Sequence, residues 1–372
     1  MNKVTMIGCD LHDASMVLKV AVGSGVAVKK TFATAQAREM ILWLKDHAQR
    51  HAADRIVFAY EASGQGFNLH DDLSDAGIEC YVLAPTRLPH TTHQRKQKTD
   101  EKDAQMILEE VQAHVLAGRK LPAVWVPDPT TRDDRETVRM RLELGEARTR
   151  IKNQIRNLAK RGRLTTPVWF TKSGEWSKRS VQWLHERAAD SELGQGLRTV
   201  LRTLVELYEG LCRQMKSLDK AILQLARSER YALMFRKLKL LPGVGKLTAM
   251  VFLTEMGKLD RFRNRRELAA YLGLAPASYE SGKTDDRKGH ITRHGPARVR
   301  HVLCQAAWAA LRCSDVWRAQ YDKIKRDMKK RAKVAIVAIM RRLAITMWHT
   351  ARSPELDELI QEWTPHQPCT SS

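Results

Sequence analysis

The sequence predicts a mixed α/β domain at the front and a mainly helical remainder, on three observations. Short β-rich runs alternate with helical periodicity up to residue 122 and do not recur beyond it. From Leu197 onward a leucine-rich seam repeats at spacings of four and three, the pattern of long packed helices. Charge divides the same way: residues 1–90 carry 9 Lys and Arg against 10 Asp and Glu, a balance of −1, so the remainder holds +23 of a net +22. At 372 residues the chain has room for two or three domains with their own cores.

In order, Val4 to Cys9 reads as a buried strand ending at Asp10. Met16 to Val22 and Val26 to Phe32 are strands joined by Gly23-Ser24-Gly25, a hairpin signal. Ala35 to Ala53 is a helix with Met40, Ile41, Leu44 and Ala48 on its apolar face. Ile56 to Tyr60 is a strand ending at Glu61, followed by a short helix from Phe67 to Leu73 and a strand from Ile78 to Leu83. Lys98-Thr99-Asp100-Glu101-Lys102-Asp103-Ala104 then opens an amphipathic helix carried on by Ile107, Leu108, Val111 and Val115. The resulting order, β-β-β-α-β-α-β-α, is that of ribonuclease H-like (RuvC-like) domains.

In that topology the end of the first strand, the end of the fourth and the start of the last helix converge on one edge of the sheet. Asp10, Glu61, Asp100 and Asp103 occupy those places, the last two on one helix face. Four carboxylates without a His/Cys set suit Mg²⁺, or Mn²⁺ as an alternative, and such ions drive phosphoryl transfer. The plain reading is that Asp100 caps the helix, Asp103 answers its dipole and Glu61 is a surface acid. A second rival is a sugar-kinase or actin-type ATPase, to which Asp10-Leu11-His12-Asp13-Ala14-Ser15 is a loose match. That rival needs a second copy of the fold, and the strand pattern does not repeat. Just before the acidic helix, Arg95, Lys96 and Lys98 belong to a basic stretch that either follows a phosphate backbone or is a solvated loop.

A strongly basic chain of pI near 9.9 points to a nucleic-acid partner. The six cysteines form no CxxC pair, which favours a reducing compartment. Asp10 interrupts the apolar start, so no signal peptide is expected, and the Val334 to Met340 run is too short to span a membrane. A cytoplasmic protein without membrane contact is expected.

Trp125-Val126-Pro127-Asp128-Pro129 marks a boundary, after which charged helices run to Arg161. Residues 165–194 read as an irregular connection whose Trp169, Trp176 and Trp183 form a small core. The seam Leu197, Leu201, Leu204, Tyr208, Leu211, Met215, Leu218, Ile222, Leu225 fits either a hairpin packing on residues 138–158 or a dimerising coiled coil. The domains are placed at 1–122, 123–230 and 231–372.

In the last of these, Leu240-Leu241-Pro242-Gly243-Val244-Gly245-Lys246 has the helix-hairpin-helix form, in which Gly243, Gly245 and Lys246 meet a nucleic-acid backbone. Gly273-Leu274-Ala275-Pro276, Ser281-Gly282 and Gly289-His290-Ile291-Thr292-Arg293-His294-Gly295 follow, among Lys283, Arg287, Lys288, Arg293, Arg298 and Arg300. His290, His294, His301 and Cys304 offer zinc-type ligands, but their spacing and the arginines around them favour a packed, phosphate-facing helix. Together with Asp10, Glu61 and the Lys98–Ala104 motif, these stretches resemble the DEDD-type insertion-sequence transposases, kin of the Piv DNA invertases, over nearly the whole chain.

The resemblance implies excision and insertion of a mobile DNA element by the acidic quartet together with a serine nucleophile, here Ser281 with Ser278 in reserve. It also implies a structured non-coding guide (bridge) RNA and assembly as a dimer or tetramer. A serine before glycine is more often a turn residue, but cations around a hydroxyl suit a phosphoserine intermediate. A Holliday-junction-type nuclease would need the quartet but not Ser281. A non-catalytic nucleic-acid-binding regulator would need neither.

Overall fold

The structure is a computed structural model that describes residues 3–88, 99–170, 176–278, 288–326, 328 and 331–357, with the side chains of 170, 277, 278, 288 and 289 set aside. The chain divides into two compact units, Met1–Pro127 and Asp128–Ser372.

The front unit is built on one five-stranded sheet. Its elements are β1 (Lys3–Leu11), β2 (Ser15–Val22), β3 (Val28–Ala33), α1 (Ala37–Arg50), β4 (Ala53–Glu61), α2 (Asn68–Asp75), β5 (Glu79–Leu83) and α3 (Asp100–Ala117). The strand order is β3-β2-β1-β4-β5. β1 to β3 form an antiparallel meander, whereas β4 and β5 join β1 in parallel. A central strand is covered on both faces, and β1 accordingly is buried from Thr5 to Leu11. Its alternation sends Ile7, Cys9 and Leu11 into a core with Met40 and Leu44 of α1 and Leu73 of α2. Met6 on the opposite face packs with Ile107, Leu108 and Val111 of α3. The residues buried along α1 are Met40, Ile41, Leu44 and Ala48, the face its periodicity predicted.

The rear unit is mostly helical: α4 (Pro129–Arg161), α5 (Lys178–Ala189), α6 (Gln195–Leu225), α7 (Ala232–Lys239), α8 (Lys246–Met256) and α9 (Arg265–Tyr271). A two-stranded antiparallel ribbon of β6 (Pro276–Ser278) and β7 (Lys288–Ile291) precedes α10 (Ala297–Cys313), α11 (Asp315–Lys325) and α12 (Ala332–Arg352). Asp128 caps α4 by accepting from the Thr131 amide at 2.8 Å, with Pro129 in the first turn. The seam of α6 packs on α4 within the chain. Leu201, Tyr208, Met215 and Ile222 are buried at heptad spacing, and Leu201, Val205 and Tyr208 meet Ile155 and Leu158. Arg141 of α4 also makes a two-pronged contact with Asp219 of α6, at 2.7 and 3.2 Å.

Two expectations are corrected. Residues 165–194 are not wholly irregular, because Ser177 caps the twelve-residue α5 and buries Leu184 and Ala188 against α6. Trp169 and Trp183 meet edge to face there at 6.3 Å, and Trp176 lies against Tyr208 at 5.0 Å. The second correction concerns the Val334 to Met340 run. It belongs to α12, whose 21 residues are long and apolar enough to cross a membrane by length and composition. Half of that stretch is instead buried in the rear core, through Ile339, Leu343, Ala344, Met347 and others.

Candidate active site

Asp10 reaches the α3 face of the sheet because it alternates in step with Met6 and Gly8. Gly8 sets how near α3 comes. A Cβ there would stand 2.2 Å from the Leu108 amide nitrogen and 2.3 Å from the Ala104 carbonyl oxygen, so only glycine lets the helix lie on the strand. One turn back along α3 from that contact lie Asp100 and Asp103. Thr99, not Asp100, is the cap: its hydroxyl accepts from the Lys102 amide at 3.4 Å. Asp100 is therefore not the cap, which corrects that part of the plain reading, while Asp103 stands in the first turn where the helix dipole favours an acid. Glu101 between them ties the first turn to the sheet, meeting Lys19 of β2 at 2.7 Å and Lys29 of β3 at 2.8 Å. Hydrogen bonds from Lys19 and Lys29 pull its carboxyl down to about 2.

Asp10 and Asp100 are brought together through a residue that the sequence reading left out of the metal set. The Nε2 atom of His12 stands 2.9 Å from Asp10 Oδ2 and 3.4 Å from Asp100 Oδ1. One ligand atom from each of the three lies within 4.8 Å of the other two, a group able to hold a metal ion. Only a weak signal was available, since β1 ends at Leu11 and His12 lies one residue past the strand whose alternation carries Asp10. The His12 backbone is fixed as well: its amide donates to Ser15 O at 2.9 Å, and its carbonyl accepts from Thr34 Oγ1 at 2.8 Å.

Asp10 is only 9% exposed, and burial raises its pKa from the ordinary aspartate value. His12 opposes that rise, whereas the Asp103 and Asp100 charges add to it. A buried carboxyl beside two other acids and made costly to ionise is one that a divalent cation would stabilise. Glu61 closes β4, and Cys9 pairs with Tyr60 in the parallel β1–β4 ladder, so Asp10 and Glu61 follow one step later on neighbouring strands.

The predicted nucleic-acid contacts fare unevenly. Arg95, Lys96 and Lys98, and Ser281, Lys283 and Arg287, lie outside the described residues, as do the side chains of Ser278 and Lys288. Gly243, at φ +81°, has a packing reason. A Cβ there would meet Ala306 O at 2.4 Å and Ala310 N at 2.5 Å, so this turn lies on α10. Gly245 sits in open space at the head of α8, with Lys246 exposed beside it. Arg293 is exposed, at φ +56°. Arg298 pairs with Glu143 at 2.8 Å. Arg300 turns inward, donating to the carbonyls of Leu272, His294 and Gly295 at 3.1 to 3.3 Å. It joins the end of α9 to the segment entering α10. His301 is exposed and bonds Gln305 at 3.0 Å, and Cys304 packs against the rear core, so this pair serves the helix.

Two family models match the chain. One, of the DEDD type named for IS110 and described as a transposase, covers residues 7–162. The other, described as the transposase IS116/IS110/IS902 family, covers residues 236–322. A putative transposase, y4qE, of Sinorhizobium fredii is 29% identical over 80% of this chain and 76% of its own length. The transposase for insertion sequence element IS1533 of Leptospira borgpetersenii is 26% identical over 68% of this chain and 70% of its own. That for element IS1111A of Coxiella burnetii is 26% identical over 68% and 65%.

Proposed function

The chain belongs to the DEDD transposases of the IS110 group, a DNA transposase by family, and from that premise we propose how its residues work. Asp10, Glu61, Asp100 and Asp103 hold Mg²⁺, or Mn²⁺, at the edge of a ribonuclease H-like sheet. The observation that carries this reading is the meeting of Asp10 and Asp100 within one ligand-sized group, with Asp103 close enough to raise the Asp10 pKa. The strand order β3-β2-β1-β4-β5, with β1 central and α3 across it, supports the fold assignment. An ion held by these residues would supply charge to neutralise a phosphate and would lower the proton affinity of an attacking oxygen.

The rear half supplies contacts to the nucleic-acid backbone at a helix-hairpin-helix formed by α7, the turn through Gly245 and α8, with Lys246 and Arg293 at its service. Ser281 is the nucleophile. Its oxygen attacks phosphorus and the bond to one sugar oxygen breaks. That oxygen takes the proton, and the phosphodiester energy stays in a phosphoserine link for rejoining. The element's DNA ends and target are the substrates, a structured non-coding RNA guides the choice of target, and the enzyme works as a dimer or tetramer. The three domains are functional parts: catalysis at 1–122, a helical arm at 123–230, and nucleic-acid binding with the serine at 231–372.

The test compares Asp10→Asn, Asp103→Asn and Ser281→Ala on a nicked suicide substrate. All three should still bind DNA. The aspartate variants should lose strand cleavage, and Ser281→Ala should lose the denaturation-resistant protein–DNA adduct and all recombination, whereas Ser278→Ala is mild. Wild-type cleavage in either aspartate variant overturns the metal site. Cleavage that persists in Ser281→Ala without rejoining replaces this reading with a structure-selective nuclease.

A further inference from the structure

We infer that His12 is a ligand of the catalytic metal, so that the centre is a mixed nitrogen–oxygen site with a preference for Mn²⁺-like ions over Mg²⁺. This rests on the metal-centre reading above and goes beyond the four carboxylates.

The distances fit an ion's coordination sphere. Around an octahedral ion with bonds of about 2.1 Å, neighbouring ligand atoms are about 3 Å apart and opposite ones about 4.2 Å. His12 Nε2 lies 2.9 Å from Asp10 Oδ2 and 3.4 Å from Asp100 Oδ1, and all three ligand atoms fall within 4.8 Å. An ion entering between the two carboxylates therefore meets the imidazole as a third neighbour. The alternative is that His12 is only a hydrogen-bond partner that moves away when metal arrives. Two features limit that movement to a turn of the imidazole about its own side-chain bonds. The His12 amide and carbonyl are both hydrogen-bonded, to Ser15 and Thr34, and the Asp10 carboxyl it meets is fixed in the buried central strand.

The ligand type has a chemical consequence. Mg²⁺ favours oxygen donors and gives up its waters reluctantly, whereas imidazole nitrogen suits later divalent ions, with Mn²⁺ accepting either. An imidazole held at the centre thus discriminates among metals in a way that an all-carboxylate set does not. His12 is 45% exposed, so replacing it leaves the sheet and its cores intact while removing the nitrogen.

Mn²⁺ is the probe, added to the full-length chain and followed by electron paramagnetic resonance. Pulsed spectra of the wild type should carry the ¹⁴N modulation of a directly bound imidazole, and His12→Ala should lose it. Mn²⁺ affinity in His12→Ala should fall at least about tenfold, the lower end of what even an outer-sphere partner contributes. His12→Asp should restore Mg²⁺ competition and erase the Mn²⁺ preference. Absence of ¹⁴N modulation in the wild type, or its survival in His12→Ala, overturns the inference. If Mn²⁺ then still binds and Asp10→Asn abolishes it, the carboxylate centre stands and His12 is merely its ion-pair partner. If Asp10→Asn also leaves Mn²⁺ binding unchanged, the metal-centre reading falls with it.

Discussion

In the front unit a handful of charged side chains is aimed at one point. In the rear unit many of the cations are turned onto the chain itself. Asp10, His12 and Asp100 converge because a glycine lets α3 lie on β1 and because Thr99 does the capping. Arg135 donates to the carbonyls of Thr254 and Glu255 at 2.8 Å, and Arg139 grips the Glu255 carboxylate at 2.7 and 3.0 Å. Arg318 donates to the last carbonyls of α10, and Lys237, 2% exposed, holds the carbonyls of Ala351 and Ser353. The difference teaches that net charge counts groups without saying which way they point. A surplus of +22 in residues 128–372, 49 Lys and Arg against 27 Asp and Glu, overstates what is left for a polyanion, whereas an even balance of 15 against 15 in residues 1–127 concealed a concentrated acidic site.

The sharpest way to separate the two regions is Glu255→Ala. It strips the carboxylate from Arg139 and from Arg135, which is 3.9 Å away, and should cost about 3 kcal/mol, the range for one partner lost from a buried pair. Urea unfolding should show the rear unit weakened while Mn²⁺ binding at the front is kept. Loss of metal binding would mean that the two sites are not separable. Gly8→Ala is the converse. Its Cβ meets backbone rather than a yielding side chain, so about 1–3 kcal/mol of overpacking is expected, with Mn²⁺ affinity reduced and rear-unit stability unchanged.

Asp128→Ala removes the cap of α4 and should cost about 1 kcal/mol. Burial pushes this carboxyl up, but hydrogen bonds from Thr131 and Arg230 outweigh it and hold the group at about 2. A depressed folded pKa gives stability that is complete above the unfolded value, near 4, and is lost as pH falls toward 2. The wild type should therefore lose more stability than Asp128→Ala between those pH values, and equal losses would remove the cap from the account. The smallest effect is expected for Lys246→Ala, which should lower the slope of log affinity against log salt by about one ion. An unchanged slope would leave the α8 turn without a phosphate contact.

Much of the fold was legible because the periodic elements stand on their own sequence. The buried face of α1 and the strand runs are local patterns that tertiary packing did not need to override. The nearness of Asp10 to Asp100 was legible only through topology, since the two lie far apart in the chain. What stayed hidden depended on side-chain direction. His12 lies one residue past the end of β1, where strand alternation no longer fixes the direction of a side chain. Arg300 looked like its basic neighbours until the crossing of α9 and the segment before α10 gave it three carbonyls. The α5 helix was hidden among tryptophans and polar residues whose period is weak, and it is held by packing on α6.

The position of α12 orders events on the ribosome. The rear core closes around Ile339, Leu343 and Met347, and Trp348 Nε1 binds Leu259 O at 2.9 Å, so that core is incomplete until residues near 350 have left the exit tunnel. Everything the front unit buries lies before residue 128 and is available much earlier. The nascent chain should therefore carry the finished Asp10, His12 and Asp100 group while its rear unit is still unfolded. A stop codon in the rear unit ahead of the end of α12 would release the front unit without a complete rear core.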